Sequence, residues 1–346
     1  MTKKLTILFL TIIFAVFPAI VLANSAPVVS NVSASQRADD SKLVDIYYNL
    51  ADADGDHCTI WVFISDNNGL SWGVPAFTFT GDVGSSIAPG LNKHIVWDAG
   101  HDCPGKVGSF RARVFADDGK GDDMVVVPAG NYRPDGQGGT WVYVGTFFID
   151  RYEVTNSRYC EFLNAADPNG DYWYGGMEIG CAGSPGNYSY TVSPGKENYP
   201  VRYVRFYDAS AFAEWRSSVT GLNYSIPTYY QWQKAAAWDP VEMRFYYYGC
   251  HLDSSIDCTW INYTPCFGGT TPVGYFNGTG GRNDAKSYYG CYDMSGNVRE
   301  LIYHSGYSYA GGGSWADVGD ACRTLSIVGV EGRQFYVGFR IVREME

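Results

Sequence analysis

The chain has 346 residues, 46% of them hydrophobic and 18% charged, with a formal charge of −11 at neutral pH. That apolar content over that length buries an ordinary core, leaves room for two domains and excludes disorder as the organising state. The acidic balance repels phosphate backbones and argues against a nucleic-acid partner.

Residues 1–23 read as a secretory leader. Lys3 and Lys4 precede an apolar run that ends in Val21-Leu22-Ala23, the order of a basic start, an apolar centre and small residues for cleavage. The run approaches the length of a membrane anchor, but Pro18 and the small residues after it favour removal. A secreted, periplasmic or extracellular protein is expected, with no membrane attachment once the leader is cleaved. Nine cysteines in an exported chain imply disulfides and one thiol left over. Proximity suggests Cys58 with Cys103, Cys160 with Cys181, Cys250 with Cys258 and Cys266 with Cys291, leaving Cys322.

From residue 27 to 119, short runs rich in Val, Ile, Phe and Thr alternate with turn clusters: KLVDIYYNL, CTIWVFI, AFTFTG, KHIVWDAG and SFRARVFADDG. This rhythm predicts an all-β sandwich that resembles immunoglobulin or fibronectin type III modules. Asp52, Asp54 and Asp56 alternate around Gly55 and offer hard oxygen ligands, yet no distal bidentate acid follows, which favours a polar hairpin turn. SDNNGLSW, residues 65–72, is similar to an Asp-box hairpin with Asn67 at the usual Asp position.

A charged, glycine-containing joint at 117–130 marks the boundary to a second domain over 124–346. Three helices are expected there. One opens after Thr155 or Asn156 with Tyr159, Phe162 and Leu163 on one face; one follows Asp208 as N-cap and buries Phe212 and Trp215. The third follows a capping box of Thr228 and Gln231 and turns Trp232, Ala235 and Ala236 inward. Beyond Trp238 the chain is rich in Gly, Tyr, Asn and Trp with little period, which predicts short strands and long loops.

Five segments of this domain carry a resemblance: PVRYVRFYDASAFAEW, IPTYYQWQKAAAW, YYGCYDMSGNVRE, GGGSW and GFR. Together they resemble the formylglycine-generating enzyme, or sulfatase-modifying factor, family. The resemblance implies an α+β fold of C-type-lectin-like form with low regular secondary structure. In active members two thiolates hold copper(I) and convert a protein cysteine to formylglycine; soft thiolates suit that ion. Ser314 and Cys322 match the family's serine and second thiol, but Asp317 stands at the first thiol, and Arg299 replaces an active-site tryptophan. Copper is therefore not expected, and catalysis by Cys322 and Ser314 is the alternative reading. The resemblance also implies structural calcium on Asp293, the carbonyls of Gly296 and Val298, and Glu300, against a salt bridge of Glu300 with Arg299 or another cation. A weaker calcium site would use Asn262 with the carbonyl of Tyr263, but the loop before Thr271 is shortened.

Five histidines without H-x-x-x-H spacing disfavour a zinc hydrolase, and the His triad of the family's iron-dependent branch is lacking. No phosphate loop or G-x-S-x-G turn occurs. Residues 303–336 are rich in Tyr, Ser and Gly, the composition of adaptable recognition loops. The sequence favours a calcium-stabilised binding or accessory module, with an extracellular protein or glycan as ligand, over an oxidase.

Overall fold

The computed structural model describes residues 27–69, 72–106, 109–118, 123–134, 139–253 and 255–344. The leader expected at 1–23, the middle of the joint and part of the Asp-box turn lie outside these residues.

In the first third, strict alternation sets the faces. Along strand Leu43–Ala51, Ile46, Tyr48 and Leu50 are buried while Tyr47 is exposed, as the two-residue repeat of a strand requires. This strand lies between Val28–Gln36 and Gly90–Asp98, with Phe79–Gly81 at the far edge of the same antiparallel sheet. A second antiparallel sheet orders Gly84–Ile87, Cys58–Ser65 and Arg111–Asp117. Ile46, Trp97, Ile60, Ile64 and Val114 join the two sheets in one apolar cluster.

The remainder is a mixed fold with many short strands and few helices. Its first sheet orders Tyr224–Ser225, Val342–Glu344, Phe147–Asp150 and Met124–Val127, so the C-terminal strand and the strand at Met124 flank Phe147–Asp150. Thr155 caps helix Asn156–Ala166 by accepting from Arg158 N, and Thr228 caps helix Tyr229–Ala237 through the reciprocal box with Gln231. The middle helix departs from expectation. It begins at Phe206, two residues before Asp208, because the Asp208 carboxylate reaches back to Arg205 N at 2.9 Å and pairs with the guanidinium groups of Arg205 and Arg333. Between these first two helices Tyr159 and Phe212 stack, and Phe162 and Phe339 meet them edge to face, supplying large apolar area where regular structure is sparse.

The two parts meet through aromatics. Phe115 and Phe148 lie 4.3 Å apart between ring centroids, and the Arg343 guanidinium sits 4.9 Å from the first and 4.2 Å from the second. Such cation–π contacts reward a fixed relative placement.

Candidate functional site

The site is built on a sheet that orders Val328–Gly329, Tyr307–Gly311, Arg299–His304 and Val337–Gly338, the last pair parallel. Two loops extend from it and bond to each other: Gly296 N donates to Gly312 O at 2.8 Å and Trp315 N donates to Asn297 O at 2.9 Å. Gly313 is needed where it stands. Its φ is +68°, and a Cβ there would fall 2.7 Å from Cys322 Sγ, closer than any side chain tolerates.

The two departures noted in the sequence form one unit. Arg299 Nε and Nη2 donate to Asp317 Oδ2 and Oδ1 at 3.0 and 2.9 Å, a bidentate pair. Ser314 Oγ donates to Asp317 Oδ2 at 2.6 Å. The arginine side chain is 8% exposed and the aspartate 25%. Both carboxylate oxygens are thus committed to cationic or hydroxyl donors, in the fork geometry that makes Arg–carboxylate pairs strong. Arg299 Nη1 and Trp315 Nε1 are covered and have no hydrogen-bond partner within the protein.

Cys322 ends the short turn Gly319–Cys322 and is fully buried. It packs in an apolar cluster with Tyr248, Cys250, Ile261 and Phe276. Burial pushes its thiol up to about 12, and the Asp317 charge adds to the effect, so it is protonated at neutral pH. Neither Cys291 nor Cys266 stands in for the missing thiol: Cys291 belongs to a different apolar cluster, and Cys266 is bonded to Cys258. The pairing suggested by proximity is thereby corrected. Cys258 bonds Cys266, not Cys250, because backbone turns between Asp257 and Cys266 bring their Cα atoms to 5.4 Å. Cys58, Cys103, Cys160, Cys181, Cys250, Cys291 and Cys322 are free thiols.

The side chains expected to hold calcium have separate protein partners in this structure. Glu300 is the counter-ion of Arg340: Arg340 Nη2 donates to Oε1 at 2.5 Å, and Arg340 Nε and Trp232 Nε1 each donate to Oε2 at 2.6 Å. Arg340 also donates to the carbonyls of Asp150, Arg151 and Tyr292, so both partners are buried and saturated. The cation is Arg340 because Arg299 is taken by Asp317. Asp293 accepts from Gly274 N at 2.6 Å, and burial pushes its carboxyl up to about 6 against that bond. Asn262 keeps a buried side-chain oxygen with no partner while its amide donates to Gly269 O and Asn297 Oδ1.

Glu153 was not singled out by the sequence. It is buried, accepts from Val298 N at 3.1 Å and from Asn297 Nδ2 at 2.7 Å, and burial with the charges of Asp293 and Glu300 holds its carboxyl well above the usual range. An acid between Tyr152 and Val154 just before a helix cap was the available signal. Glu153, Asp293 and Glu300 are thus buried within the charge field of one guanidinium, Arg340, which bonds only Glu300 of the three, so a bound proton or cation would offset the excess negative charge. Asp293 and, in another loop, Asn262 offer hard oxygen donors, while the Glu300 oxygens are held by Arg340 and Trp232.

Elsewhere, among the described residues, Asp52, Asp54 and Asp56 are the three potential metal ligands whose atoms lie within 4.8 Å of one another. No such cluster contains histidine: His251 pairs with Asp239 at 2.9 Å, and His304 packs against Tyr229 and Tyr230.

The profile of the sulfatase-modifying factor enzyme 1-like domain matches residues 111–345. The chain belongs to this family. The match begins at the strand Arg111–Asp117, ahead of the boundary expected at Met124. A serine/threonine-protein kinase pkn1 of Chlamydia caviae is 27% identical over 163 residues, which is 46% of this chain and 23% of that protein. The hercynine oxygenase of Mycolicibacterium smegmatis is 30% identical over 115 residues, 29% of this chain and 25% of that one. The matches thus span about a quarter of these relatives' lengths. Among solved structures, CarF aligns with a TM-score of 0.49 at 22% identity, over 65% of this chain and 99% of its own. PvdO from Pseudomonas aeruginosa aligns with a TM-score of 0.47 at 23% identity, over 65% and 96%. Among the described residues no helix is long and apolar enough to cross a membrane.

Proposed function

We propose that this family member is a secreted binding or accessory module in which an ion pair has replaced the copper oxidase site. The single observation that carries the reading is the bidentate bond between Arg299 and Asp317, with the Ser314 hydroxyl on the same carboxylate. A carboxylate is a hard ligand for a soft ion, and this one has its oxygens occupied. The aromatic position and the thiol position have changed to residues that satisfy each other. The alternative, an oxidase modified around Cys322, keeps a thiol and a serine, with Cys250 as the other free thiol of the same apolar cluster, but has the ion-paired Asp317 carboxylate at the first thiol position.

Residues 1–23 act as the cleaved leader in this reading, and 27–119 form a sandwich of the immunoglobulin or fibronectin type III kind. Calcium is proposed for Asp293 with the loop carbonyls of Gly296 and Val298, where buried carboxylates outnumber guanidinium groups, without Glu300, whose oxygens Arg340 and Trp232 hold; Asn262 is proposed for a second, weaker site. The ligand is an extracellular protein or glycan met by the Tyr-rich loops of 303–336. Challenge of the purified protein with copper(I) and a Cys-X-Pro-X-Arg peptide tests the reading: no stoichiometric copper and no formylglycine are expected.

A further inference from the structure

Around Arg299 the buried polar groups are one-sided. Arg299 Nη1, Trp315 Nε1 and Arg202 Nε are all covered and have no acceptor. The three residues border one segment: Arg299 N donates to Tyr336 O at 2.8 Å, Arg202 Nη1 donates to Phe335 O at 3.2 Å, and the Trp315 ring lies 5.8 Å from the Phe335 ring. Arg202 and Lys196 share the carboxylate of Glu178, each at 3.2 Å, and Arg299 pairs with Asp317. Guanidinium and indole N–H groups are donors only, so what completes the site is an acceptor, and a guanidinium donor makes its stronger bonds to an anionic one.

We propose that Arg299 and Trp315 form a receptor for a carboxylate carried beside an apolar or aromatic group. The carboxylate accepts from Arg299 Nη1 and Trp315 Nε1, and the apolar part lies against Trp315 and Phe335. Phe335 is 39% exposed and the Asp317 side chain 25%, so this side of the pair reaches solvent. Because both nitrogens are covered, entry requires the Phe335 ring to move off Trp315. Arg299 still holds Asp317 on its other edge, since a guanidinium carries five N–H donors and the pair uses two. The proposal rests on the reading of this site as an ion-paired binding module and adds the class of ligand it takes.

The test uses the full chain labelled with nitrogen-15 and follows the Trp315 indole N–H resonance, assigned by its loss in Trp315→Phe. Three probes are titrated: N-acetylphenylalanine for a chain-terminal carboxylate, N-acetylaspartate α-amide for a side-chain carboxylate, and N-acetylphenylalaninamide for none. A saturable shift with either acid and none with the last probe is the expected result, and the acid that responds identifies the source. Calorimetric affinity for that acid should fall about tenfold in Trp315→Phe, which keeps the ring and the Arg299–Asp317 pair, as for loss of one charge-assisted bond. Equal response to the acid and its amide, no response to either acid, or unchanged affinity in Trp315→Phe overturns the proposal. A silent titration in a protein that also fails to bind copper removes this proposal alone, whereas formylglycine formation removes the module reading beneath it.

Discussion

Arg299 and Asp317 can be separated from each other in a double-substitution cycle. Asp317→Ala leaves a guanidinium that is 8% exposed without its counter-ion and deprives the Ser314 hydroxyl of its acceptor. Breaking a fully buried pair costs about 3–5 kcal/mol; with the aspartate 25% exposed, water recovers part of this, and roughly 2–3 kcal/mol is expected. Arg299→Ala leaves Asp317 with Ser314 and some solvent, and costs roughly 1–2 kcal/mol. The double variant should be little worse than Asp317→Ala alone, which gives a coupling of about 1–2 kcal/mol. Urea unfolding of the four proteins measures it. Additivity within about 0.5 kcal/mol would show that the two residues act independently, and the replacement argument would fail.

Chelation should lower the melting temperature; Asp293→Asn should abolish that sensitivity, whereas Glu300→Gln should destabilise the protein through Arg340 yet keep it. An unchanged melting temperature under chelation refutes the calcium proposal. Burial lowers the Lys234 ammonium to about 7, with Pro128 O and Gly130 O as its acceptors and no carboxylate. The folded state therefore binds fewer protons than the unfolded one between about pH 7 and 10, and stability should rise with pH across that window relative to Lys234→Met, by up to about 1.4 kcal/mol per pH unit. A flat difference between the two proteins would contradict this. Alkylation of unreduced, denatured protein should modify seven cysteines and leave Cys258 joined to Cys266; a peptide map with Cys322 in a disulfide would contradict the structure.

Local rules carried the sequence reading far. Capping chemistry at Thr155 and at Thr228 with Gln231, and the inward faces of Tyr159, Phe162 and Trp232, are set by residues within one turn of each other. The same logic misplaced the start at Asp208, because the acid sits in the first turn and answers to Arg333, 125 residues away. Long-range pairing defeated the site reading in a similar way. Arg299 and Asp317 stood out singly as departures, yet nothing local says that they bond across a separation of 18 positions. Glu300 looked like a ligand from its loop, whereas its carboxylate pairs with Arg340, 40 residues on. Cysteine spacing failed because Cys250 and Cys322 share an apolar cluster while Cys258 turns back to Cys266.

The central claim is that an ion pair stands where a copper site would. Purified protein, reduced and loaded anaerobically with copper(I), then exposed to oxygen and a Cys-X-Pro-X-Arg peptide, tests it by mass spectrometry of the peptide. The account predicts no stoichiometric copper and an unconverted cysteine; formylglycine at that position would contradict it.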